Sequence, residues 1–289
     1  MKKPSEYSGV TIVNKAILKP YFPMFGKDIN KGDLGRVIIV GGSSNYVGAI
    51  LLSAEAAMRS GAGTSMIAST KKVTDALRER VTFSGLYPLS GEDCIVFDKA
   101  QFDEISKGAS SFAVGMGMAK GDADKIVGYL YSQTKANFVV DADGLKSLGL
   151  NAEKYDFRAV FTPHPKEFSY ISGLSVNEIL SNPIEVAKDY AVRHKVILLL
   201  KGFETVITDG ESVLVNTAGA PKMAKGGSGD VLSGVIAAQL ARGIEPLYAA
   251  VAGAYLCGRS AEMSDMNEYS YLPSETIRGL VKAIDELTK

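Results

Sequence analysis

The sequence has few cysteines, no excess of charge of either sign and no long apolar run. Its two cysteines, Cys94 and Cys257, lie inside apolar segments, which argues against a disulfide scaffold or a cysteine-rich zinc site. The 32 basic and 32 acidic residues cancel, so no basic surplus points to nucleic acid. The longest apolar runs, such as residues 249–257, are far too short to span a bilayer. The first residues have no continuous apolar segment typical of a signal peptide. We therefore expect a soluble, cytoplasmic protein without nucleic-acid or membrane partners.

Several common active-site motifs are also missing. No GxxxxGK[ST] loop is present, and residues 115–121 read GxGxxxG rather than the dinucleotide fingerprint GxGxxG. Neither a GxSxG elbow nor an HExxH pair occurs, so serine hydrolases and zinc proteases have no support. The function must therefore be sought in other local chemistry.

What is present is a regular alternation of strand and helix patterns over about 200 residues, which is typical of βαβ units. The aliphatic run at 36–40 predicts a buried strand, a further strand is predicted at 94–97, and Asp209-Gly210 predicts a hairpin. We therefore expect an α/β fold with a mostly parallel sheet and helices on both faces. With 289 residues, 46% of them hydrophobic, the chain is long enough for one domain covering 1–289.

Chemically reactive or glycine-rich residues follow many of the predicted strands. In parallel sheets, ligands bind beyond the carboxyl ends of the strands, so these residues should converge on one edge. The segments are 41–43, 115–117, 141–143, 162–165, 201–202 and 229–230.

The stretch at 216–234, NTAGAPKMAKGGSGDVLSG, carries the strongest signal. Its glycines allow positive φ and close approach of the backbone, and the helix that follows offers unpaired N–H groups to an anion such as phosphate. Asp230 lies at this point. It could take a proton from an attacking hydroxyl, or it could merely cap the helix.

Other polar residues leave alternatives open. His164 lies between two prolines, and a rigidly held loop imidazole favours a ligand contact, with Glu167 on the same side. His194 ends a predicted helix and is interpreted as a C-terminal cap. Asp141 and Asp143 could hold a metal or could form an Asp-rich turn.

Taken together, the motifs resemble the ADP/ATP-dependent NAD(P)H-hydrate dehydratase family of the ribokinase-like superfamily. Met116, Met118 and Ala119 stand where that family usually has proline, leucine and glycine. The resemblance implies a three-layer αβα ribokinase-like fold. The motifs that carry it are KGDLGR (31–36), GGSSNYVGA (41–49), GAG (61–63), VDADGL (140–145), TPHPKE (162–167), KGFET (201–205) and GGSGDVLSG (226–234).

The resemblance also implies a reaction. The substrate would be the S form of NADHX or NADPHX, in which water has added across a ring double bond. Phosphorylation of that hydroxyl by ADP or ATP would make it a leaving group, with ADP the expected nucleotide. Asp230 would contact the hydroxyl and act as base.

Binding roles follow from the same resemblance. The backbone of Gly227, Ser228 and Gly229 would stabilise the transferring phosphate. Glu167 would organise Mg²⁺ through water. The hydrated cofactor would be bound by Ala49, Gly117, His164 and Asp230, and the nucleotide by Lys201, Gly202, Phe203, Glu204, Thr205 and Gly229.

Two other functions share some of these features. A small-molecule kinase of the same fold, acting on a vitamin precursor or a sugar, would have Gly229-Asp230 but would not be expected to combine TPHPKE, KGFET and GGSSNYVGA. A non-catalytic nucleotide sensor would have no need of Asp230. Family membership further implies a homotetramer.

Overall fold

The central sheet is built from short aliphatic runs, because strands covered on both faces need apolar side chains on both sides. The structure is a computed structural model that describes residues 3–119, 121–149 and 155–289. The strands of the sheet are β1 (Thr11–Ile12), β2 (Arg36–Val40), β3 (Thr64–Thr70), β4 (Gly85–Leu89), β5 (Ser111–Val114), β6 (Asn137–Val140), β7 (Ala159–Phe161), β8 (Ile197–Leu200), β9 (Thr205–Thr208) and β10 (Val213–Asn216).

The helices begin with capping residues or proline at most of their N-termini, which satisfies or removes N–H groups of the first turn. Asn14, Thr70, Asp98 and Ser175, for example, each accept a hydrogen bond from the first turn of their helix. The α-helices are α1 (Lys15–Leu18), α2 (Val47–Arg59), α3 (Lys71–Leu77), α4 (Lys99–Ser106), α5 (Ala123–Gln133), α6 (Asp143–Leu148), α7 (Pro165–Ser172), α8 (Val176–Ser181), α9 (Pro183–His194), α10 (Ser228–Ala241), α11 (Pro246–Glu262) and α12 (Pro273–Thr288).

The sheet is mostly parallel, in the order β1-β10-β9-β8-β7-β6-β5-β2-β3-β4. Strand β9 alone runs antiparallel to its neighbours β8 and β10, with Leu199 opposite Ile207 and Leu214 opposite Ile207 on the other side. The predicted hairpin around Asp209-Gly210 is therefore confirmed.

Two layers of helices cover the sheet. Alternate side chains of β2 show the division, since Val37 and Ile39 pack with α2, α10, α11 and α12, whereas Ile38 and Val40 pack with α4, α5, α7 and α9. The predicted three-layer αβα arrangement is confirmed. No helix in the described ranges combines the length and the apolar character needed to cross a membrane.

Five neighbouring parallel strands, β8, β7, β6, β5 and β2, end at the same edge of the sheet. Their ends are followed by Lys201, Thr162, Asp141, Gly115 and Gly41. The backbone is tightly packed there: Gly115 has φ 120°, and a Cβ atom on it would lie 2.0 Å from the carbonyl oxygen of Asp141. The sequence prediction that these segments meet at one edge is therefore correct.

One predicted strand is wrong. Residues 94–97 form no strand; the strand in this region is β4, and only Ile95 of the apolar run is buried. Strand β4 contains Pro88, which is tolerated because β4 is the edge strand and pairs only with β3. Cys94 is accordingly half-buried, whereas Cys257 is buried as expected. The sequence reading also missed β1 and α6.

Candidate active site

Helix α10 begins in an unusual way that leaves Asp230 without a structural task. Its N-cap is Gly227, with φ 99°, and a Cβ atom there would lie 2.8 Å from Cδ1 of Leu52. Only glycine fits this close, left-handed turn. Asp230 is the third residue of the helix, and its carboxylate accepts no hydrogen bond from any described residue. The N-cap is thus Gly227, and Asp230 does not cap the helix.

The first turn of α10 also leaves backbone donors available. The Ser228 N–H donates to the Lys225 carbonyl at 3.3 Å, and the Val231 N–H donates to the Gly227 carbonyl at 3.1 Å. Among the described residues, the N–H groups of Gly229 and Asp230 have no acceptor. Unpaired N–H groups at a helix start favour an anion.

Two cavities open on either side of this turn. The narrow cavity, of about 510 Å³, contains Ser228 and Gly229 in its wall; the wide cavity, of about 1000 Å³, contains Gly227 and Asp230. Because these four residues are consecutive, the two cavities meet at the start of α10. The rest of the narrow cavity is formed by Lys201, Gly202, Phe203, Thr205, Asn216, Thr217, Ala218, Gly219, Ala220, Pro221, Met223, Ala224, Leu232, Ala254 and Cys257. The rest of the wide cavity is formed by Asn45, Tyr46, Val47, Gly48, Ala49, Leu52, Gly117, Ala119, Gly121, Ala142, Asp143, Lys146, Ser147 and Gly226.

A buried ion pair lies under the turn. Asp141 Oδ1 is 3.0 Å from Lys201 Nζ, and Asp141 Oδ2 accepts a 3.1 Å hydrogen bond from Ser233 Oγ. The same hydroxyl lies 3.0 Å from the Gly229 carbonyl oxygen, so its one proton is shared between the two acceptors and links the ion pair to the first turn of α10. Burial alone would raise the pKa of Asp141, but the charge and hydrogen bonds of Lys201 outweigh it and the pKa is lowered.

The pKa of Asp230 moves in the opposite direction. Burial raises it most, the negative charge of Asp141 adds to the rise, and the positive charge of Lys201 opposes both only in part, so that the pKa of Asp230 is about 7. A carboxyl group with this pKa exchanges a proton near neutral pH and is suited to act as a general base.

His164 and Glu167 form a reciprocal capping box at the start of α7. The Glu167 N–H donates to His164 Nδ1 at 3.2 Å, and the His164 N–H donates to Glu167 Oε2 at 3.0 Å. Burial lowers the pKa of His164 despite the charge of Glu167, which favours neutral imidazole. His164 is not in the wall of either cavity, but Glu167 Oε2 lies 3.7 Å from Lys201 Nζ and so joins the buried ion pair.

The described ranges contain no group of three or more His, Cys, Asp or Glu side chains that could hold a metal ion. Protein side chains alone therefore form no metal site among these residues. Glu167 is buried and already accepts the His164 N–H. Of the two aspartates left open by the sequence, Asp141 pairs with Lys201 and Asp143 with Lys146.

Most of the predicted binding residues fall into two spatial groups. Ala49, Gly117 and Asp230 belong to the wide cavity; Lys201, Gly202, Phe203, Thr205 and Gly229 belong to the narrow one.

Glu204 differs, because it is outside both walls and its carboxylate accepts hydrogen bonds from the N–H and Oγ of Ser5 at 2.8 and 2.7 Å.

The sequence reading missed several wall residues. Asn216, residues 217–221, Met223 and Ala224 line the narrow cavity, and Lys146 lines the wide one. The first group lies in the stretch singled out at 216–234, so proximity to the glycine turn was the available signal. Only the folded chain brings Lys146 to the cavity.

Comparison with known proteins shows which family the sequence is similar to. The sequence profile of a family described as NAD(P)H-hydrate dehydratase matches residues 37–282. The bifunctional NAD(P)H-hydrate repair enzyme Nnr of Hyperthermus butylicus is 37% identical over 246 residues, covering 81% of this chain and 45% of that protein. The chain spans about half the length of the relatives of this type that it matches. The ADP-dependent (S)-NAD(P)H-hydrate dehydratase of Cenarchaeum symbiosum is 33% identical over 250 residues, covering 85% of this chain and 86% of that protein.

A solved structure gives the same fold. The ADP/ATP-dependent NAD(P)H-hydrate dehydratase of Bacillus subtilis, co-crystallised with ATP and Mg²⁺, superposes with a TM-score of 0.84 at 24% identity, covering 97% of this chain and 100% of that one. The predicted ribokinase-like fold is thereby confirmed.

Proposed function

The chain belongs to the NAD(P)H-hydrate dehydratase family, and from this premise we propose that it converts the S form of NADHX or NADPHX to NADH or NADPH at the expense of an adenine nucleotide. The observation that carries the proposal is the meeting of the narrow and wide cavities at residues 227–230. One cavity takes the phosphoryl donor and the other the hydrated cofactor, so that hydroxyl and phosphate meet above the first turn of α10.

The first chemical step is phosphoryl transfer to the hydroxyl of the hydrated ring. Asp230 takes the hydroxyl proton while the hydroxyl oxygen bonds to the terminal phosphorus and the bond from phosphorus to the remaining nucleotide breaks. The N–H groups of Gly229 and Asp230, which have no acceptor among the described residues, stabilise the charge on the transferring group. The N–H group of Gly227 is likewise without an acceptor among the described residues and belongs to the same anion site, whereas that of Ser228 donates to the Lys225 carbonyl.

The second step removes phosphate. The adjacent ring nitrogen pushes its electron pair toward the ring, the carbon–oxygen bond to the new phosphate ester breaks, and loss of a ring proton restores the double bond. The products are NAD(P)H, inorganic phosphate and AMP when ADP is the donor. ADP is favoured because a relative covered over 86% of its length is an ADP-dependent enzyme.

Lys201 supports the nucleotide rather than the proton transfer. Its ammonium lies in the wall of the narrow cavity and is held by Asp141 at 3.0 Å. A lysine fixed in this way is a suitable contact for phosphate oxygens. Gly202, Phe203 and Thr205 line the same cavity beside it.

We also propose that Mg²⁺ accompanies the nucleotide. The described residues offer no cluster of ligands for a dedicated site, which fits an ion held mainly by phosphates and water. Glu167, next to Lys201, is the carboxylate that would reach it through water. The ion would neutralise phosphate charge.

The proposal is tested by mixing purified protein with S-NADHX and ADP or ATP and following the absorbance of NADH together with free phosphate. A dehydratase produces both in equal amounts. A small-molecule kinase of this fold would instead release a stable phosphorylated product without free phosphate, and a nucleotide sensor would turn over neither. Absence of NADH with every adenine nucleotide would exclude the proposed activity.

We further propose a homotetramer, which the family resemblance implies, and a single domain and a cytoplasmic location, which length and composition favour. The first residues described pack against a distant part of the chain, since β1 pairs with β10 and Ser5 contacts Glu204. Sedimentation equilibrium would test the tetramer, and limited proteolysis would test the single domain.

A further inference from the structure

The wide cavity contains a single cationic side chain among the described residues, that of Lys146 on α6. The other ionisable side chains in the described part of its wall are the acids Asp143 and Asp230 and the phenol of Tyr46. A ligand with several negative charges would be repelled by the two acids unless a cation compensated them. Lys146 is therefore the wall residue whose charge matches an anionic ligand.

Lys146 is held in place by its neighbour on the same helix. Its Nζ lies 3.0 Å from Asp143 Oδ1, and Asp143 Oδ2 accepts a 2.9 Å hydrogen bond from the Ala119 N–H. Ala119 has φ 56°, a conformation that favours glycine, so Asp143 helps to fix this loop against α6.

The ammonium group of Lys146 can donate further hydrogen bonds. Asp143 uses one of its three N–H donors, and the side chain is 49% exposed. The hydrogen bond with Asp143 raises the pKa of Lys146, so the group remains a cation at neutral pH. It is thus charged, oriented and able to accept an additional anionic partner.

The hydrated dinucleotide brings such a partner. Two phosphoryl groups link its two nucleosides and carry negative charge at neutral pH. The free N–H groups of α10 are occupied by the transferring phosphoryl group during the proposed reaction, so they do not serve the pyrophosphate. We propose that Lys146 forms a phosphoryl-binding subsite of the wide cavity and contacts the pyrophosphate of the hydrated dinucleotide. This inference rests on the proposed function, which assigns the dinucleotide to that cavity.

The chain contains a close structural match that serves as a control. Lys125 Nζ lies 3.2 Å from Asp122 Oδ1, again three residues apart, and Asp122 Oδ2 accepts a 3.0 Å hydrogen bond from the Phe97 N–H. This pair repeats the arrangement of Lys146 and Asp143 but neither residue lines the wide cavity. Removing the Lys125 charge therefore perturbs helix and loop in the same way without touching the subsite.

The experiment measures the affinities of NADH and NADPH by calorimetry, with saturating AMP to occupy the narrow cavity, for the wild type and for Lys146→Gln, Lys146→Arg and Lys125→Gln. Loss of one charge-assisted contact should weaken binding to Lys146→Gln by about 10-fold. Lys146→Arg should restore most of the affinity, and Lys125→Gln should remain within about 2-fold of the wild type. Added salt should weaken the wild type more than Lys146→Gln, because screening acts on a charge the variant lacks.

The outcomes separate the subsite from the proposed function. Equal losses for NADH and NADPH support the pyrophosphate contact, whereas a loss for NADPH alone moves the contact to the 2′-phosphate and overturns the pyrophosphate assignment. Unchanged affinity of Lys146→Gln for both ligands overturns the subsite even if S-NADHX is turned over. If the wild type binds NADH through Lys146 but never turns over S-NADHX, the subsite stands and the dehydratase activity fails. In an active enzyme, Lys146→Gln should raise KM for S-NADHX about 10-fold, with little change in KM for ADP.

Discussion

The carboxyl end of β6 and the start of α10 each place an aspartate in the same site, and the two behave in opposite ways. Asp141 is buried with Lys201 and Ser233 as partners, and its pKa is lowered. Asp230 is half-buried, its carboxylate has no hydrogen-bond partner among the described residues, and its pKa rises to about 7. Burial opposes ionisation at both positions, so the partners decide the outcome.

This contrast separates a structural carboxylate from a reactive one. Asp141 forms an ion pair with Lys201 and, through Ser233, is connected to the turn at Gly229. Asp230 keeps its lone pairs free for a proton and faces the wide cavity. Its high pKa is caused partly by Asp141, so the two residues form one electrostatic unit.

The largest effect is expected when the reactive carboxylate, that of Asp230, is removed. We expect Asp230→Asn to bind ADP normally but to lose turnover of S-NADHX by at least ~10²-fold, the range typical of a general base. Steady-state kinetics and calorimetry with ADP would measure both quantities. A rate close to that of the wild type would show that another group takes the proton.

Removing the structural carboxylate should instead affect stability first. Asp141→Asn leaves Glu167, at 3.7 Å, as the acid within ion-pair distance of Lys201 in the described part of the chain, and breaking a buried ion pair should lower the free energy of unfolding by about 3 kcal/mol. The pKa of Asp230 should also fall, since a neighbouring negative charge is lost. The control is Ser233→Ala, which removes an uncharged hydrogen bond to Asp141. It should lower the free energy of unfolding by about 1 kcal/mol and should not shift the acidic limb of the pH profile, that is, the pH range over which kcat/KM rises. Denaturant unfolding and a pH profile would test this, and an unshifted acidic limb in Asp141→Asn would contradict the electrostatic coupling.

The pH dependence sharpens the comparison further. Because the base must be deprotonated, kcat/KM should rise with pH and level off above about 7, the pKa of Asp230. The free energy of unfolding should change in the opposite direction and fall as pH rises. A raised folded-state pKa means that the contribution of Asp230 to stability is greatest below its unfolded-state pKa of 3.8 and is lost as pH rises through about 7.

It follows that Asp230→Asn should be more stable than the wild type at pH 8, by at most about 4 kcal/mol for a shift of the pKa from 3.8 to about 7, with a smaller gain at pH 5. Thermal unfolding at both pH values would measure the difference. Equal gains at the two pH values would mean that the effect is not caused by titration of Asp230.

Glu204 extends the comparison to a third carboxylate, one whose partner is Ser5. Glu204 could act indirectly, by holding residues 201–205 in place through Ser5. In that case Ser5→Ala and Glu204→Gln should each raise KM for ADP by about 2- to 5-fold, corresponding to about 0.5–1 kcal/mol. A large effect of Glu204→Gln with none for Ser5→Ala would instead favour the direct nucleotide contact predicted from the sequence.

The parts of the fold that the sequence predicted well are those in which the local pattern is unambiguous. The aliphatic run of β2 and the hairpin around Gly210 were identified because burial on both faces and turn chemistry each have a distinct signature. The strand near Cys94 was misplaced because an edge strand such as β4 needs little hydrophobicity and accepts Pro88. Whether 94–97 or 85–89 pairs with β3 depends on contacts that the local sequence does not contain.

The sequence by itself determined the α/β architecture, the glycine turn before α10 and the position of Asp230 as a candidate base. These features depend on periodicity, on positive φ and on chain order, respectively. The tertiary structure decided which charges meet. Asp141 and Lys201 are 60 residues apart along the chain and 3.0 Å apart in the fold, and Lys146 reaches the cavity of Asp230 only through the packing of α6. Electrostatic interactions depend on distance and burial in space, so the pKa of Asp230 and the charge of the wide cavity could emerge only from the folded chain.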